Sequence, residues 1–194
     1  MDDGRRRNIG NRRNLILRKI QIMELWDLYD KDGNKTGEVW ERKPGNYTAI
    51  PDGRYHLVSD ILVRHVDGTY LLTKRDPRKD IYPGFWEPGA GGSATQGETP
   101  EECAERELFE ETGLKADSWE FINRSISEKS HSIYYSYLAV VNCDKDSVVL
   151  QEGETTDYVW VELKDFWKYT ESEQAMRNHV ERYRPYLDEI FSGL

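Results

Sequence analysis

The chain has 194 residues, 37% of them hydrophobic and 32% charged, with a net charge of −9. Its length allows one domain with a hydrophobic core, and its 12 tyrosines and six tryptophans exclude a wholly disordered chain. No apolar run approaches the roughly 20 residues of a membrane-spanning helix. Because the body of the chain is acidic, we expect neither a nucleic acid nor a membrane as its partner.

The N-terminal segment is basic, in contrast to the rest of the chain. Seven of the 27 lysines and arginines, but only two of the 36 acidic residues, lie within the first 23 residues. This composition predicts a disordered extension over residues 1–22, with Met23 as the natural start of a domain over residues 23–194. An RNA-binding or targeting arm is the alternative, although the apolar stretch of a secretion signal is missing.

Two β-hairpins are predicted before residue 77. In the first, residues 23–42, alternating side chains flank the turn sequence KDGN. In the second, residues 56–76, two apolar and β-branched runs meet at Asp67-Gly68. Residues 77–98 then form a long loop without a regular pattern, and loops of this length are usually functional.

The first hairpin carries three large aromatic residues, Trp26, Tyr29 and Trp40. A short peripheral element cannot bury all three by itself, and exposed aromatic patches tend to be interfaces. We therefore expect this hairpin to assist the formation of a homodimer.

The strongest helix signal in the chain covers residues 100–112. Thr99 is a suitable N-cap, Pro100 occupies the first helical position, and Glu102 completes a capping box. Gly113 stands where a C-cap glycine is expected. These signals are local and mutually consistent, so both ends of the helix are predicted.

Three strands and a second helix are predicted after this helix. The strands cover residues 118–127, 131–142 and 156–163. From Glu171 to Phe191, apolar side chains recur at helical spacing, which predicts one amphipathic helix. Strands that surround one or two helices indicate a layered α/β domain with a mixed sheet.

Three carboxylates crowd one face of the predicted helix. Glu107, Glu110 and Glu111 are neighbours there, because residues three and four apart share a helix face. They repel one another near the helix C-terminus, where the dipole disfavours anions. A solvated acidic face is one interpretation. The other is a hard divalent cation, Mg²⁺ or Mn²⁺, held by these oxygens together with the phosphates of a diphosphate substrate.

The residues around the carboxylates follow the spacing G-x5-E-x7-R-E-L-x-E-E-x-G-L, from Gly92 to Leu114. This spacing matches the signature of the Nudix hydrolase superfamily at every defined position. Outside the signature, stretches such as YHLVSDILVRH and DYVWVEL resemble the branch of that superfamily related to isopentenyl-diphosphate isomerase. The resemblance extends over about residues 24–166.

The resemblance implies a fold and an activity. The fold is an α/β/α sandwich around a mixed β-sheet, with the N-terminal β-hairpin and a C-terminal helix attached. The activity is Mg²⁺-dependent hydrolysis of a nucleoside diphosphate linked to another group. Glu107, Glu110, Glu111 and a backbone carbonyl near Gly91 would bind the metal. Arg106 would orient the glutamates through ion pairs, with a direct phosphate contact as its alternative role.

The resemblance also bears on residues near the metal ligands. Glu98, in the loop before the helix, is expected to pair with Arg106. The candidate catalytic residues are Glu111, Arg106 and Glu154, because the general base of this superfamily comes from the signature or from a later loop. Glu154 precedes Trp160 by six residues, like the family's loop glutamate. Glu152 is the neighbouring candidate, and both are otherwise ordinary loop charges.

For several other side chains, the sequence allows either a role in ligand binding or a purely structural role. Trp86 and Tyr135 either stack on a ligand base or pack in the core, which is the usual role of aromatic residues. For His56 we expect a structural hydrogen bond. Ala104, Leu108 and Leu114 should be core. Four cations before the signature either hold the second phosphate or are solvated at the surface: Lys74, Arg75, Arg78 and Lys79.

Two other functions deserve comparison with hydrolysis. The isomerase relies on a cysteine shortly after the residue that matches Trp86, and the sequence WEPGAGGSA contains none. A non-catalytic nucleotide-binding module generally loses signature glutamates, whereas this chain keeps all of them. Cys103 and Cys143 lack metal-type spacing, and we expect buried free thiols in a reducing, cytoplasmic compartment. The identity of the diphosphate or nucleotide substrate stays open.

Overall fold

The computed structural model describes residues 24–43 and 45–192. The helices are α1 (Pro100–Thr112), α2 (Leu163–Glu171), α3 (Arg177–Arg182) and α4 (Arg184–Ser192). The strands are β1 (Leu25–Tyr29), β2 (Lys35–Glu41), β3 (His56–His65), β4 (Tyr70–Arg75), β5 (Trp86–Pro88), β6 (Ala90–Ser93), β7 (Ser118–Ser127), β8 (Ser132–Val141) and β9 (Thr155–Val161).

The strands form a ribbon and a larger mixed sheet. β1 and β2 pair antiparallel in a sheet of their own, as the first predicted hairpin requires. The larger sheet has the order β5-β4-β3-β8-β7, with β6 paired to β3 and β9 paired to β4. β3 and β8 run parallel, and the other paired strands run antiparallel. The predicted mixed sheet is therefore confirmed.

The side chains of β3 alternate between two hydrophobic layers. Ile61 and Val63 pack with Ala104 and Leu108 of α1. Leu62 belongs to the opposite cluster, which contains Phe166, Tyr169, Val180 and Leu187 of the C-terminal helices. This alternation follows from the two-residue period of a strand. The sheet thus lies between α1 and α2–α4, which confirms the predicted sandwich.

Helix α1 has the ends that its capping signals predict. The Thr99 hydroxyl accepts a hydrogen bond from the Glu102 amide at 3.2 Å, and the Glu102 carboxylate accepts one from the Thr99 amide at 2.9 Å. Gly113 adopts φ 70°, and its amide donates to the Phe109 carbonyl at 2.8 Å. A left-handed cap of this kind favours glycine. These two caps fix the helix that carries the acidic signature.

The aromatic residues of the first hairpin are mostly covered by the chain itself. Trp26 is 2% exposed and Tyr29 is buried, whereas Trp40 is half-buried. Trp26 packs with Ile50 and stacks on His56 at a ring-centroid distance of 4.0 Å. Residues outside the hairpin therefore help to cover Trp26 and Tyr29, and the expected exposed aromatic patch does not include these two. A homodimer stays a prediction, without support from these two residues.

Two short helices, α3 and α4, occupy the segment from Glu171 to Phe191, where a single helix is predicted. The physical reason is Pro185, whose ring nitrogen cannot donate to the carbonyl four residues earlier. α3 consequently ends at Arg182, and α4 begins at Arg184 with the proline in its first turn, where it is tolerated. The apolar spacing still serves packing, since Val180 and Leu187 are buried.

Two further expectations concern thiols and membranes. Cys103 is buried and Cys143 is half-buried, and both are free thiols. Among residues 24–43 and 45–192, no helix is long and apolar enough to cross a membrane. The expected basic extension, residues 1–22, lies outside the described residues.

Candidate active site

Strand β6 presents two glycines to helix α1. Gly91 and Gly92 pair with Asp60 and Ser59 of β3. A Cβ atom on Gly92 would lie 2.2 Å from Oε1 of Glu107, and one on Gly91 would lie 2.8 Å from the Ser59 carbonyl oxygen. Real Cβ atoms do not approach other atoms this closely. Glycine therefore lets the acidic side chains of α1 reach the backbone of β6.

Arg106 connects the loop before α1 with two signature glutamates. Its Nε and Nη2 donate to Glu98 at 2.6 and 2.9 Å. Its Nη1 donates to Glu107 at 2.6 Å and to Glu110 at 3.1 Å, and Nη2 also donates to the Ser93 carbonyl at 3.1 Å. The predicted pair of Glu98 and Arg106 is thus present. This planar fork fixes the directions of several carboxylates at once.

Glu111 is a buried carboxylate, 5% exposed. Its Oε2 accepts a hydrogen bond from the Gly91 amide at 3.3 Å. Burial raises the pKa of Glu111 well above its usual range, and the carboxylates of Glu87, Glu107 and Glu154 raise it further. In the part of the chain that the structure describes, no lysine or arginine pairs with Glu111. The side chain therefore lies in an environment that favours an added positive charge.

Glu107 and Glu110 complete the signature carboxylates but differ in exposure. Burial raises the pKa of Glu107, the Arg106 guanidinium opposes this, and Glu110 and Glu154 add to the increase. The Glu110 side chain is 45% exposed and opens toward solvent. The two residues share the Nη1 group of Arg106. The single positive charge of Arg106 is therefore smaller than the summed negative charge of the carboxylates that it contacts.

Glu154 reaches the site from the loop before β9. This loop is joined to the end of α1, where the Gln151 amide donates to the Glu111 carbonyl at 3.4 Å. The Glu154 carboxylate pairs with Lys79 and raises the pKa of both Glu107 and Glu111 by its negative charge. Glu152, the alternative candidate, is exposed. The geometry thus favours Glu154 over Glu152 as a site residue.

All six predicted site residues lie along one cleft of about 1440 Å³: Gly91, Arg106, Glu107, Glu110, Glu111 and Glu154. A volume of this size is ample for a substrate larger than a diphosphate alone. The cleft also extends beyond the signature, to side chains of β3, β5, β8 and α3. The structure therefore brings the candidates together on a concave surface.

The residues present fit a hard divalent cation in their chemistry. Carboxylate and carbonyl oxygens are the donors that Mg²⁺ and Mn²⁺ prefer. In the described part of the chain, Glu111 has a backbone amide but no cationic side chain as its partner. Among the described residues, no three acidic, histidine or cysteine side chains already converge around one cation position. Binding would require the carboxylates to reorient, and Glu110 is exposed enough to do so.

A second polar cluster adjoins the signature, and sequence reasoning missed it. Asp60 on β3 is 2% exposed and pairs with Arg182 of α3 through two guanidinium nitrogens. Glu87 on β5 is also buried and accepts two hydrogen bonds from Arg75, at 2.9 and 3.2 Å. Burial raises the pKa of Glu87, and Arg75 opposes the shift. Both carboxylates line the same cleft.

His179 lies between these two carboxylates. Its Nε2 is 4.0 Å from Asp60, and its Nδ1 is 4.0 Å from Glu87. Burial lowers the pKa of His179 to about 3, so the ring is neutral at physiological pH. The one sequence signal for this cluster is Asp60, an acidic residue inside an apolar strand. No sequence feature near residue 179 indicates that His179 packs beside Asp60 and Glu87.

The other candidate side chains divide between the cleft and the surface. Arg75 and Lys79 line the cleft, and Arg78 pairs with Asp76 beside a smaller cavity. Lys74 lies 5.7 Å from the ring centre of Trp86. Lys74 therefore gains no support as a phosphate ligand.

The two aromatic candidates pack against the core and do not face the cleft. Trp86 and Tyr135 are half-buried and pack against the hydrophobic clusters, and neither lines the cleft. His56 is buried, and its Nδ1 donates to the His131 carbonyl at 2.9 Å. The predicted structural hydrogen bond of His56 is therefore present. Ala104, Leu108 and Leu114 are core residues, as predicted.

Known proteins resemble this chain in sequence. A family model described as NUDIX domain matches residues 54–183. An uncharacterised Nudix hydrolase of Listeria monocytogenes is 36% identical over 95 residues, which are 49% of this chain and 54% of that protein. An isopentenyl-diphosphate Delta-isomerase of Salmonella heidelberg is 30% identical over 118 residues, 58% of this chain and 65% of that protein. The matches thus span less than two thirds of these relatives.

A solved structure supports the same fold. The crystal structure of DR0079 from Deinococcus radiodurans superimposes with a TM-score of 0.65 at 20% identity, covering 84% of this chain and 99% of that one. At this identity the likeness concerns the fold alone. The predicted resemblance to Nudix proteins, including the branch of isopentenyl-diphosphate isomerase, is confirmed by the sequence matches. The chain therefore belongs to the Nudix family.

Proposed function

We propose that the protein is a divalent-metal-dependent hydrolase that cleaves the diphosphate linkage of a nucleoside diphosphate linked to another group. The observation that carries the proposal is the buried Glu111 carboxylate, which lies beside Glu87, Glu107 and Glu154 and has no cationic side-chain partner within residues 24–43 and 45–192. Phosphoryl transfer depends on charge neutralisation and positioning. The relatives named as Nudix hydrolases support this reaction class.

Glu107, Glu110, Glu111 and the Gly91 carbonyl are the proposed ligands of Mg²⁺ or Mn²⁺. When bound, the cation supplies Lewis acidity toward the diphosphate and lowers the pKa of water. The residues themselves supply oxygen donors whose reorientation toward the cation is limited from two sides. The Gly91 amide restrains Glu111, and Arg106 restrains Glu107 and Glu110.

Arg106 acts as an orienting residue in this proposal. Its guanidinium is occupied by Glu98, Glu107, Glu110 and the Ser93 carbonyl. Five N–H donors already committed to the protein leave little capacity for a phosphate oxygen. We therefore assign Arg106 to the carboxylates and not to the substrate.

Glu154 is the proposed general base, with Glu111 as the alternative. Its loop is attached to the end of α1, and its side chain lines the cleft beside Glu111. The pair with Lys79 limits the positions of the carboxylate. A carboxylate in such a location would accept a proton from the attacking water. Arg75 and Lys79, the cations of the predicted group that line the main cleft, are the proposed contacts of the substrate phosphates.

The isomerase alternative finds less support in this chain, despite its 30% identity with an isopentenyl-diphosphate isomerase. Residues 87–94, which follow Trp86, contain no cysteine. Cys103 is buried, and burial raises the pKa of its thiol to about 12. Its Sγ contacts the Gly92 carbonyl at 3.5 Å and faces away from solvent. A thiol in this state is a poor acid or base for allylic proton transfer.

A substrate panel with Mg²⁺ tests the proposal. It would contain ADP-ribose, nucleotide sugars, dinucleoside polyphosphates, NADH, oxidised nucleotides and isopentenyl diphosphate, with released monophosphate or phosphate as the readout. We expect hydrolysis of at least one nucleotide compound, and its loss in excess chelator. Chelator-insensitive turnover, or no hydrolysis of any compound, would contradict the proposal. Isomerisation of isopentenyl diphosphate without hydrolysis would favour the alternative.

A further inference from the structure

Arg182 brings the C-terminal helices into contact with the cleft. It lies on α3, outside residues 24–166, and its guanidinium forms a two-pronged pair with Asp60. The same group lies over the ring of Tyr134, with 3.9 Å between the guanidinium carbon and the ring centre. Both Arg182 and Asp60 are buried. Such a paired, stacked and buried arginine has little freedom to move.

Asp60 links this pair to the proposed metal ligands. It is the β3 residue directly opposite Gly91 in the antiparallel pairing of β3 with β6. A Cβ atom on Gly91 would lie 3.5 Å from Oδ1 of Asp60, so the carboxylate lies over this glycine. Gly91 in turn donates its amide to Glu111. A series of contacts through Asp60 and Gly91 therefore connects α3 with the buried carboxylate of Glu111.

The buried charges beside these contacts are only partly balanced. Asp60, Glu87 and Glu111 are all buried acidic residues of one cleft wall. Arg182 offsets Asp60 and Arg75 offsets Glu87, whereas no cationic side chain of the described residues offsets Glu111, which accepts a hydrogen bond from the Gly91 amide. Charges in a buried site act over longer distances than charges in water. A change in the net charge of the Asp60–Arg182 pair is therefore expected to alter the electrostatic environment of Glu111.

We propose that Arg182 is a positioning residue of the proposed active site. Its pair with Asp60 keeps the part of the wall next to Gly91 electrically neutral, so that the signature carboxylates set the affinity for a divalent cation. This inference rests on the proposed function. It assigns the C-terminal helices to the site itself. Arg182 acts through Asp60 and Gly91, and it contacts neither the cation nor the reacting atoms.

The test measures Mn²⁺ binding by isothermal titration calorimetry, in the absence of substrate. Four proteins are compared: wild type, Asp60→Asn, the double variant Asp60→Asn/Arg182→Met, and Arg182→Lys. Asp60→Asn keeps the shape but leaves Arg182 unbalanced, so Mn²⁺ binding should weaken by about tenfold. The double variant removes both charges and should restore the wild-type Kd to within about twofold. Arg182→Lys keeps the charge and should also bind like the wild type.

The outcomes separate this inference from the proposed function. If the wild-type protein binds no Mn²⁺, the proposed function fails and the inference fails with it. If the wild type binds Mn²⁺ and Asp60→Asn binds equally well, the inference alone is overturned. It is also overturned if the double variant stays as weak as Asp60→Asn. Should Asp60→Asn not fold, the double variant and Arg182→Lys still decide, because a tenfold loss in either contradicts a role in charge balance.

Discussion

Arg106 and Glu98 are joined by two hydrogen bonds, of 2.6 and 2.9 Å, while the third nitrogen of the same guanidinium contacts Glu107 and Glu110. The loop before α1 therefore sets the orientation of carboxylates on α1. This arrangement distinguishes an orienting arginine from one that contacts the substrate.

Replacement of Arg106 by lysine should lower kcat and leave KM nearly unchanged. Lysine keeps the charge but cannot form the planar fork that holds three carboxylates. A carboxylate displaced by about 1 Å can reduce turnover roughly a hundredfold. Steady-state kinetics at saturating metal would measure both constants, with Arg177→Lys on the exposed part of α3 as the control. A large rise in KM with an unchanged kcat would instead indicate a direct contact with a substrate phosphate.

The close contact between Gly92 and Glu107 allows a second test of whether the position of the carboxylates controls activity. Gly92→Ala would place a methyl group 2.2 Å from the Glu107 carboxylate, and this flexible side chain would have to move. We expect a loss of activity of about tenfold or more from the misplaced carboxylate, with only a small change in thermal stability. Gly97→Ala is the contrast, because Gly97 has φ 93° and nothing within 4 Å of an added Cβ. Gly97→Ala should lower the melting temperature and preserve turnover. Equal activities of the two variants would refute the predicted role of this space.

Glu154 and Glu152 form a matched pair for the general base. Glu154 lines the cleft, whereas Glu152 is exposed two residues earlier in the same loop. Glu154→Gln should reduce kcat by about 10²–10⁴-fold, the range expected for loss of a general base. Glu152→Gln should have the activity of the wild type. If Glu154→Gln retains most of its turnover, the base lies elsewhere, with Glu111 as the remaining candidate.

His56 makes the stability of the fold depend on pH. Burial lowers its pKa to about 4 from the ordinary value of 6.5. The unfolded chain therefore binds a proton between these values that the folded chain does not. The stability contributed by neutral His56 is fully present above pH 6.5 and is lost as the pH falls toward 4, at up to about 1.4 kcal/mol per pH unit.

Urea unfolding at pH 7, 6 and 5 would measure this effect. The free energy of unfolding of the wild type should fall more steeply with decreasing pH than that of His56→Gln, which cannot take up the proton. The glutamine variant is expected to be less stable at pH 7, because the ring stacked on Trp26 is lost. Parallel pH profiles for the two proteins would show that His56 does not titrate in this way.

Local signals in the sequence were sufficient to predict helix α1 and its acidic face. The capping box at Thr99 and the cap at Gly113 depend on residues a few positions apart, so their outcome is independent of the rest of the fold. The pair of Arg106 with Glu98 followed from the resemblance and is present. The signature residues lie on one helix and its preceding loop, which explains why their proximity was predictable.

Long-range packing could not be predicted in the same way. Trp26 is buried because His56 and Ile50 cover it, and neither neighbour can be identified from the hairpin sequence. Asp60 and Arg182 are 122 positions apart, and only the packing of α3 beside β3 brings them together. The break at Pro185 was visible in the sequence, but apolar periodicity alone continues through it and predicted one helix.

The signature carboxylates are proposed to hold a divalent cation that hydrolysis requires. Glu111→Gln keeps the shape of the side chain and removes its charge, and Glu105→Gln removes an exposed charge from the same helix. In chelator, Glu111→Gln should unfold at a temperature no lower than the wild type, because the substitution removes a buried carboxylate that its neighbours repel. This control establishes that any loss of activity does not come from unfolding.

The most direct measurement is the kcat/KM of Mg²⁺-dependent hydrolysis for the wild type, Glu111→Gln and Glu105→Gln, using the best substrate from the panel. The cation contributes several kcal/mol to transition-state stabilisation, so Glu111→Gln should lose about 10³-fold or more. Glu105→Gln should match the wild type. Hydrolysis by Glu111→Gln at the wild-type rate would contradict the account.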